Sequence, residues 1–179
     1  MRRKKFFIGI ALLVVVTLLA ITVKNELFKE VDPPQLIVEK QNGVTGVNFD
    51  TPLTRLDKST TTLKEYQGKI LIINFWASWC GPCQEEAPDL KTFYEQKPNN
   101  VELLAINETA YDSRENAIKF QQLYDLNFPI FLDDDRSLGK SSKVIAFPTT
   151  LIVDAQGILR HTIEGQLTLQ DLQQLISEL

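Results

Sequence analysis

Cysteine and histidine are nearly missing from this chain. Its 179 residues hold two cysteines and one histidine, too few for a structural disulfide framework. A zinc site is excluded on the same count. Cys80 and Cys83 would need two more ligands, His161 lies far along a predicted strand, and no second Cys-x-x-Cys exists. No internal repeat or low-complexity tract is visible. Positive charge is scarce beyond the start, because four of the nineteen basic residues sit in Arg2-Arg3-Lys4-Lys5. The remainder carries fifteen basic against twenty-three acidic residues, a net charge of −8. That balance excludes nucleic acid and anionic lipid as partners of the domain itself. The acidic run Asp133-Asp134-Asp135 lacks Gly and Glu at calcium-loop positions, so it reads as a solvated turn and metal sites are expected to be absent.

Charge is also absent from residues 6–23, an apolar run directly after the basic block. At about 1.5 Å per helical residue it covers most of a hydrocarbon core of about 30 Å. The basic flank places that end in the cytoplasm and the rest of the chain across the membrane. A cleaved signal peptide is the rival, but its apolar region is normally shorter, and Leu18 precedes Ala20 where a small residue is wanted. No cysteine follows the run to carry a lipid. The expected division is an uncleaved single-pass anchor over 1–23, a polar, proline-bearing tether over 24–41, and one extracytoplasmic domain over 42–179.

The two cysteines sit together in Trp79-Cys80-Gly81-Pro82-Cys83. The preceding run, Ile70 to Trp76, is β-branched and aromatic with no polar alternation, as in a strand buried on both faces. Beyond it Cys83, Ala87, Leu90 and Phe93 recur at helical spacing, so a helix is expected from near Gly81, with Pro88 kinking its interior. Strand, turn and helix put Cys80 at a helix N-terminus, where free N–H groups and the macrodipole favour a thiolate. Cys80 is thus expected to be the accessible nucleophile and Cys83 its ring-closing partner. A purely structural bridge over so short a loop would remove little unfolded-state entropy. A thiol peroxidase would want proline seven residues, and threonine or serine three residues, before its cysteine; this chain has Ile73 and Ala77. The pair is there for redox chemistry.

Further along, Val44 to Leu56 suggests short strands, and Val101 to Asn107 a second buried strand, which completes a right-handed β-α-β unit. Asp112-Ser113-Arg114-Glu115 has capping-box spacing before a helix whose apolar face is Ala117, Phe120 and Tyr124. Phe128 to Leu132 reads as a strand. Pro148 to Asp154 and Ile158 to Ile163 flank a turn at Gly157, an antiparallel hairpin. Thr168 caps a last helix striped by Leu169, Leu172, Leu175, Ile176 and Leu179. The sum is an α/β sandwich around a mixed sheet: β-α-β, then β-β-α, with an α-β insert and an N-terminal β-hairpin.

Over residues 44–179 and the anchor, the chain resembles the thioredoxin-like fold and, more narrowly, the membrane-anchored extracytoplasmic thiol–disulfide oxidoreductases of the ResA/TlpA type. The resemblance rests on Asn74 through Cys83, on Glu86 and Pro88, and on Phe147-Pro148-Thr149-Thr150. It implies that Cys80 attacks, that Cys83 resolves, and that Phe147–Pro148 is a cis bond beside the disulfide. The buried acid of cytoplasmic thioredoxin is replaced by Asn74, and Glu86 stands one turn beyond Cys83, where ResA-like proteins carry a glutamate assigned to proton transfer. The alternative for Glu85 and Glu86 is that they only complement the helix N-terminus. Trp79, Gly81, Pro82, Phe147 and Pro148 would form the client-binding rim, and no cofactor beyond the cysteine pair is implied. The Gly-Pro pair resembles reducing members. A membrane thiol donor would then supply electrons, with disulfides of exported proteins, typically the haem-site cysteines of apocytochrome c, as clients. An exported oxidase or isomerase and a non-catalytic thiol chaperone are the other classes; reduction potential separates the first from a reductase.

Overall fold

The chain divides into two compact units, Met1–Pro33 and Pro34–Leu179. This computed structural model describes residues 13–24, 35–40 and 43–179. In the first unit residues 13–24 are helical with exposed side chains. The Thr17 and Thr22 hydroxyls donate to carbonyls one turn back, at Leu13, Val14, Leu18 and Leu19, so neither needs water. No helix among the described residues is long and apolar enough to cross a membrane. The basic block, the start of the expected span, residues 25–34 and 41 of the expected tether and residue 42 at the start of the expected domain lie outside the described residues.

The second unit is built on β5 (Ile70–Trp76), all seven of whose residues are buried. It pairs in parallel with β6 (Val101–Asn107) and antiparallel with β8 (Thr149–Val153). Outward from these run β7 (Ile130–Leu132), β3 (Pro52–Arg55) and β4 (Thr60–Thr62) on one side, and β9 (Leu159–Glu164) on the other. Among the described residues this gives a seven-stranded mixed sheet ordered β4-β3-β7-β6-β5-β8-β9. Four helices accompany it: α1 (Gly81–Gln96), α2 (Arg114–Leu123), the short α3 (Ser137–Ser141) and α4 (Leu169–Ser177). The β5-α1-β6 and β8-β9-α4 units, the α2-β7 insert and the β3-β4 hairpin make the fold thioredoxin-like α/β.

Alternation along β5 divides the core. Ile70, Ile72 and Trp76 pack with Ala87, Leu90 and Phe93 of α1, Phe120 of α2 and Leu172 of α4. Leu71, Ile73 and Phe75 pack on the opposite face with Leu53, Leu63, Phe131 and Leu138. The stripe on α4 is anchored by Leu172, and Thr168 with Asp171 forms its capping box.

Three local expectations differ from the structure. Residues Ile37–Glu39, expected in the tether, form β1 and pair antiparallel with β2 (Thr45–Val47), Ile37 opposite Val47. Leu36 beside them is fully buried, because its side chain completes the second core. The helix cap is Ser113, not Asp112: the Ser113 hydroxyl accepts from the Asn116 N–H, and Asp112 is used elsewhere. Asp133 is no solvated turn residue. It is buried and accepts from the Leu138 and Gly139 N–H groups, capping α3, while Asp134 and Asp135 stay exposed.

Leu36→Ala should therefore destabilise the protein by about 2–5 kcal/mol, as for other buried leucines. Urea unfolding followed by circular dichroism measures it. A loss below about 1 kcal/mol would show that residues 35–40 only decorate the core.

Candidate active site

β5 ends at Trp76, and the turn Ala77-Ser78-Trp79 carries the chain to Cys80, the N-cap of α1. The cap is a sulfur: the Cys83 N–H points at Cys80 Sγ, 3.2 Å away. Gly81 and Pro82 fill the first two helical positions, where proline's missing donor costs nothing. The turn is clamped by Asp112, which accepts from the Ser78 N–H at 2.6 Å, the Ser78 hydroxyl at 2.8 Å and Asn107 Nδ2 at 2.9 Å. Burial works to raise the pKa of Asp112, yet the Asn107 and Ser78 bonds outweigh it and hold the carboxyl below its usual range. Pro88 lies inside α1, and the Thr92 hydroxyl donates to its carbonyl.

Cys80 and Cys83 form a disulfide. In this disulfide form both are buried, Cys83 2 % and Cys80 4 % exposed. Cys80 forms part of a groove of about 620 Å³ lined by Trp79, Gly81, Pro82, Tyr111, Ile145, Ala146 and Phe147. Cys83 does not line that groove. It borders a cavity of about 10 Å³ on the other side, with Asn74, Trp76, Glu86 and Phe128, near the lower size limit for one water. The two sulfurs thus face different environments. Trp79 is more than half exposed, its Nε1–H donates to the Tyr111 carbonyl at 2.9 Å, and its ring meets Phe147 edge-to-face at 5.9 Å. The Phe147–Pro148 bond is cis.

Glu86 is buried on the inner face of α1. One carboxyl oxygen accepts from Asn74 Nδ2 at 2.9 Å and the other from the Leu167 N–H at 3.2 Å. Asn74 also donates to the Thr150 hydroxyl at 3.1 Å, which ties helix, β5, β8 and the approach to α4 into one cluster. Burial raises the Glu86 pKa from 4.5 to about 7, and the Asn74 and Leu167 bonds oppose the shift without cancelling it. Glu85 beside it is exposed. Asn74, Thr150 and Leu167 were missed as site residues from sequence, although Asn74 is the one amide side chain in β5 and shares the helix-facing parity of Ile72 and Trp76. His161 is exposed on β9, and among the described residues no group of three His, Cys, Asp or Glu is set to hold a metal ion.

Residues 44–162 match the model of the AhpC/TSA family. The chain belongs to that family. Within it, the chain is 32% identical over 129 residues to the thiol-disulfide oxidoreductase ResA of Bacillus thuringiensis, covering 71% of this chain and 73% of that one. The ResA of Bacillus subtilis is 30% identical over 177 residues, 93% of this chain and 89% of its own. Among solved structures StoA from Bacillus subtilis superposes with a TM-score of 0.62 at 26% identity, covering 70% of this chain and 94% of StoA. This AhpC/TSA-family protein is a thiol–disulfide oxidoreductase of the ResA type: the relatives carry that activity in their names, and the fold places its only two cysteines as one disulfide at a helix start.

The raised Glu86 pKa links to stability with a definite sign. Below pH 4.5 folded and unfolded chains both hold the proton and nothing is lost. Between 4.5 and about 7 the unfolded chain has released it while the folded protein keeps it, so stability falls as pH rises. The loss across that window is about 3 kcal/mol. Glu86→Gln should remove this slope in urea midpoints measured from pH 4.5 to above 7. Parallel curves for the two proteins would show that Glu86 does not titrate in this range.

Proposed function

We propose that this oxidoreductase works outside the cytoplasmic membrane, held by an N-terminal anchor, and reduces disulfides of exported proteins. The observation that carries the mechanism is the division of the sulfurs, Cys80 on the groove and Cys83 on the inner cavity with Glu86. In the reduced protein the Cys80 thiolate attacks a client disulfide, forming a mixed disulfide and expelling one client sulfur as a thiolate. Cys83 loses its proton to Glu86, directly or through one water, and its thiolate attacks the Cys80 sulfur. The second client thiolate leaves, the client has gained two electrons, and the protein is left as the disulfide. A membrane thiol donor then restores the dithiol.

Glu86 suits this role because its pKa of about 7 lets it take and return a proton near neutral pH. Trp79, Gly81, Pro82, Phe147 and Pro148 seat the client chain beside Cys80. The apolar run over residues 6–23 after a basic block supports the anchor over 1–23. A relative at 26% identity described as the pneumococcal exposed lipoprotein thioredoxin supports the compartment. Apocytochrome c, whose haem-site cysteines must be reduced before haem attachment, is the client class proposed for the ResA-type resemblance.

Two measurements test this reading. Equilibration with glutathione should give a reduction potential near thioredoxin's value of about −270 mV; a value near the about −120 mV of DsbA would overturn the reductive direction. Glu86→Gln should slow release of the mixed disulfide about 10-fold or more and flatten its pH dependence, while iodoacetamide still labels Cys80 before Cys83. Glu85→Gln is the control. Equal, small effects from both substitutions, or faster labelling of Cys83, would refute the assigned roles.

A further inference from the structure

Glu108, at the end of β6, is a fully buried carboxylate outside the cysteine cluster. Its main-chain N–H donates to the Trp76 carbonyl, which fixes it to the strand that leads to the cysteines. One carboxyl oxygen accepts from Arg136 Nε at 3.0 Å, and the other has no hydrogen-bond partner. Gly139 closes over it so tightly that a Cβ there would collide with that second oxygen. The rest of the guanidinium reaches Tyr111, which lines the groove, and Val144, next to the lining residue Ile145. Nη1 donates to the Tyr111 hydroxyl, the guanidinium lies 4.4 Å from the Tyr111 ring centre, and Nη2 points at the Val144 carbonyl at 3.5 Å. The Tyr111 main-chain carbonyl accepts the Trp79 indole N–H, and Val144 leads directly into Ile145, 83 % exposed and also lining the groove.

We propose that Arg136, anchored by buried Glu108, is a positioning residue that holds two segments lining the client groove, at Tyr111 and at Val144-Ile145, in register around Cys80, and so sets affinity for protein clients without entering the sulfur chemistry. Three nitrogens on one planar fork have three destinations: the buried acid, the Tyr111 hydroxyl and the Val144 carbonyl. A lysine keeps the charge that answers Glu108 but carries no such fork. The bland alternative is that Arg136 only neutralises Glu108, since a buried carboxylate without its partner is costly. Lysine substitution separates the two. The inference rests on the groove being the client seat proposed above.

The test compares full-length wild type with Arg136→Lys and Glu108→Gln, using dithiothreitol as the electron source. Insulin is the protein client for the dithiothreitol-driven assay; 5,5′-dithiobis(2-nitrobenzoate), a small disulfide that does not span the groove, is instead given in a single turnover to protein pre-reduced and freed of dithiothreitol, which would reduce it directly. Arg136→Lys should raise KM for insulin about 5-fold, the scale of one lost hydrogen bond, and leave kcat within about 2-fold. Its rate with the small disulfide and its reduction potential should stay at the wild-type values. Glu108→Gln preserves shape and loosens the anchor, so its insulin KM should rise in the same direction; it decides the matter if the lysine variant fails to fold. An Arg136→Lys protein with wild-type KM, an unchanged KM in Glu108→Gln, or equal slowing on both disulfides would overturn the proposal. A wild type inactive on insulin refutes the reductive direction alone. The same KM comparison on oxidation of a reduced cysteine-pair peptide then decides the role of Arg136.

Discussion

β5 is dry on both faces, and that constraint reaches into every part of the site. A strand with no wet side must answer any polar side chain it carries from within the protein. Its amide side chain, Asn74, is answered by Glu86 on α1 with Thr150 on β8, while the Trp76 indole N–H is buried without a partner. The bond from Asn74 turns a helix lying on the sheet into a helix fixed at one rotation, with Cys83 and Glu86 directed inward together. It also leaves the carboxyl with two hydrogen bonds instead of a hydration shell, and two bonds do not replace the water lost. The shifted pKa is thus a consequence of where the helix packs.

The same helix start separates an outside from an inside. Cys80 closes the groove floor while Cys83 faces a cavity of about one water's size beside Glu86. In the mechanism proposed above, proton movement takes place behind the disulfide and client contact in front of it. Asp112 keeps the dividing turn rigid with three hydrogen bonds, two of them to Ser78 just ahead of the cysteines.

Much of this is legible in the residues. Ile70 to Trp76 and Val101 to Asn107 read as buried strands because they contain almost nothing that could face water. The last helix reads as one because five apolar residues share one period, and four of them, Leu169, Leu172, Leu175 and Ile176, lie within α4. The cysteine pair needed only its spacing and its place after a strand. Other features were hidden for physical reasons. β1 is three residues long beside a proline-bearing stretch, too short for any periodicity to register. Asp133 stands in a run of three identical acids, and only the fold decides which one caps a helix. Asn74 was legible as a departure from thioredoxin's acid, but its partner lies twelve positions away across a helix–sheet interface. Pairing them requires knowing that even positions of β5 face α1.

The sheet ends, on one side, at β9, whose outer row carries Arg160, His161, Thr162 and Glu164 as largely exposed residues. The other end is β4, only Thr60–Thr62. The cysteine-bearing clients proposed above are polypeptides that would offer free strands when partly unfolded. A long apolar border would recruit them by backbone pairing and bury enzyme and client in a growing aggregate. Charges along one border and a three-residue stub at the other make such templating unfavourable. Contact with loose chains is then steered away from the sheet's margins, and the enzyme can work among sticky substrates while staying dispersed.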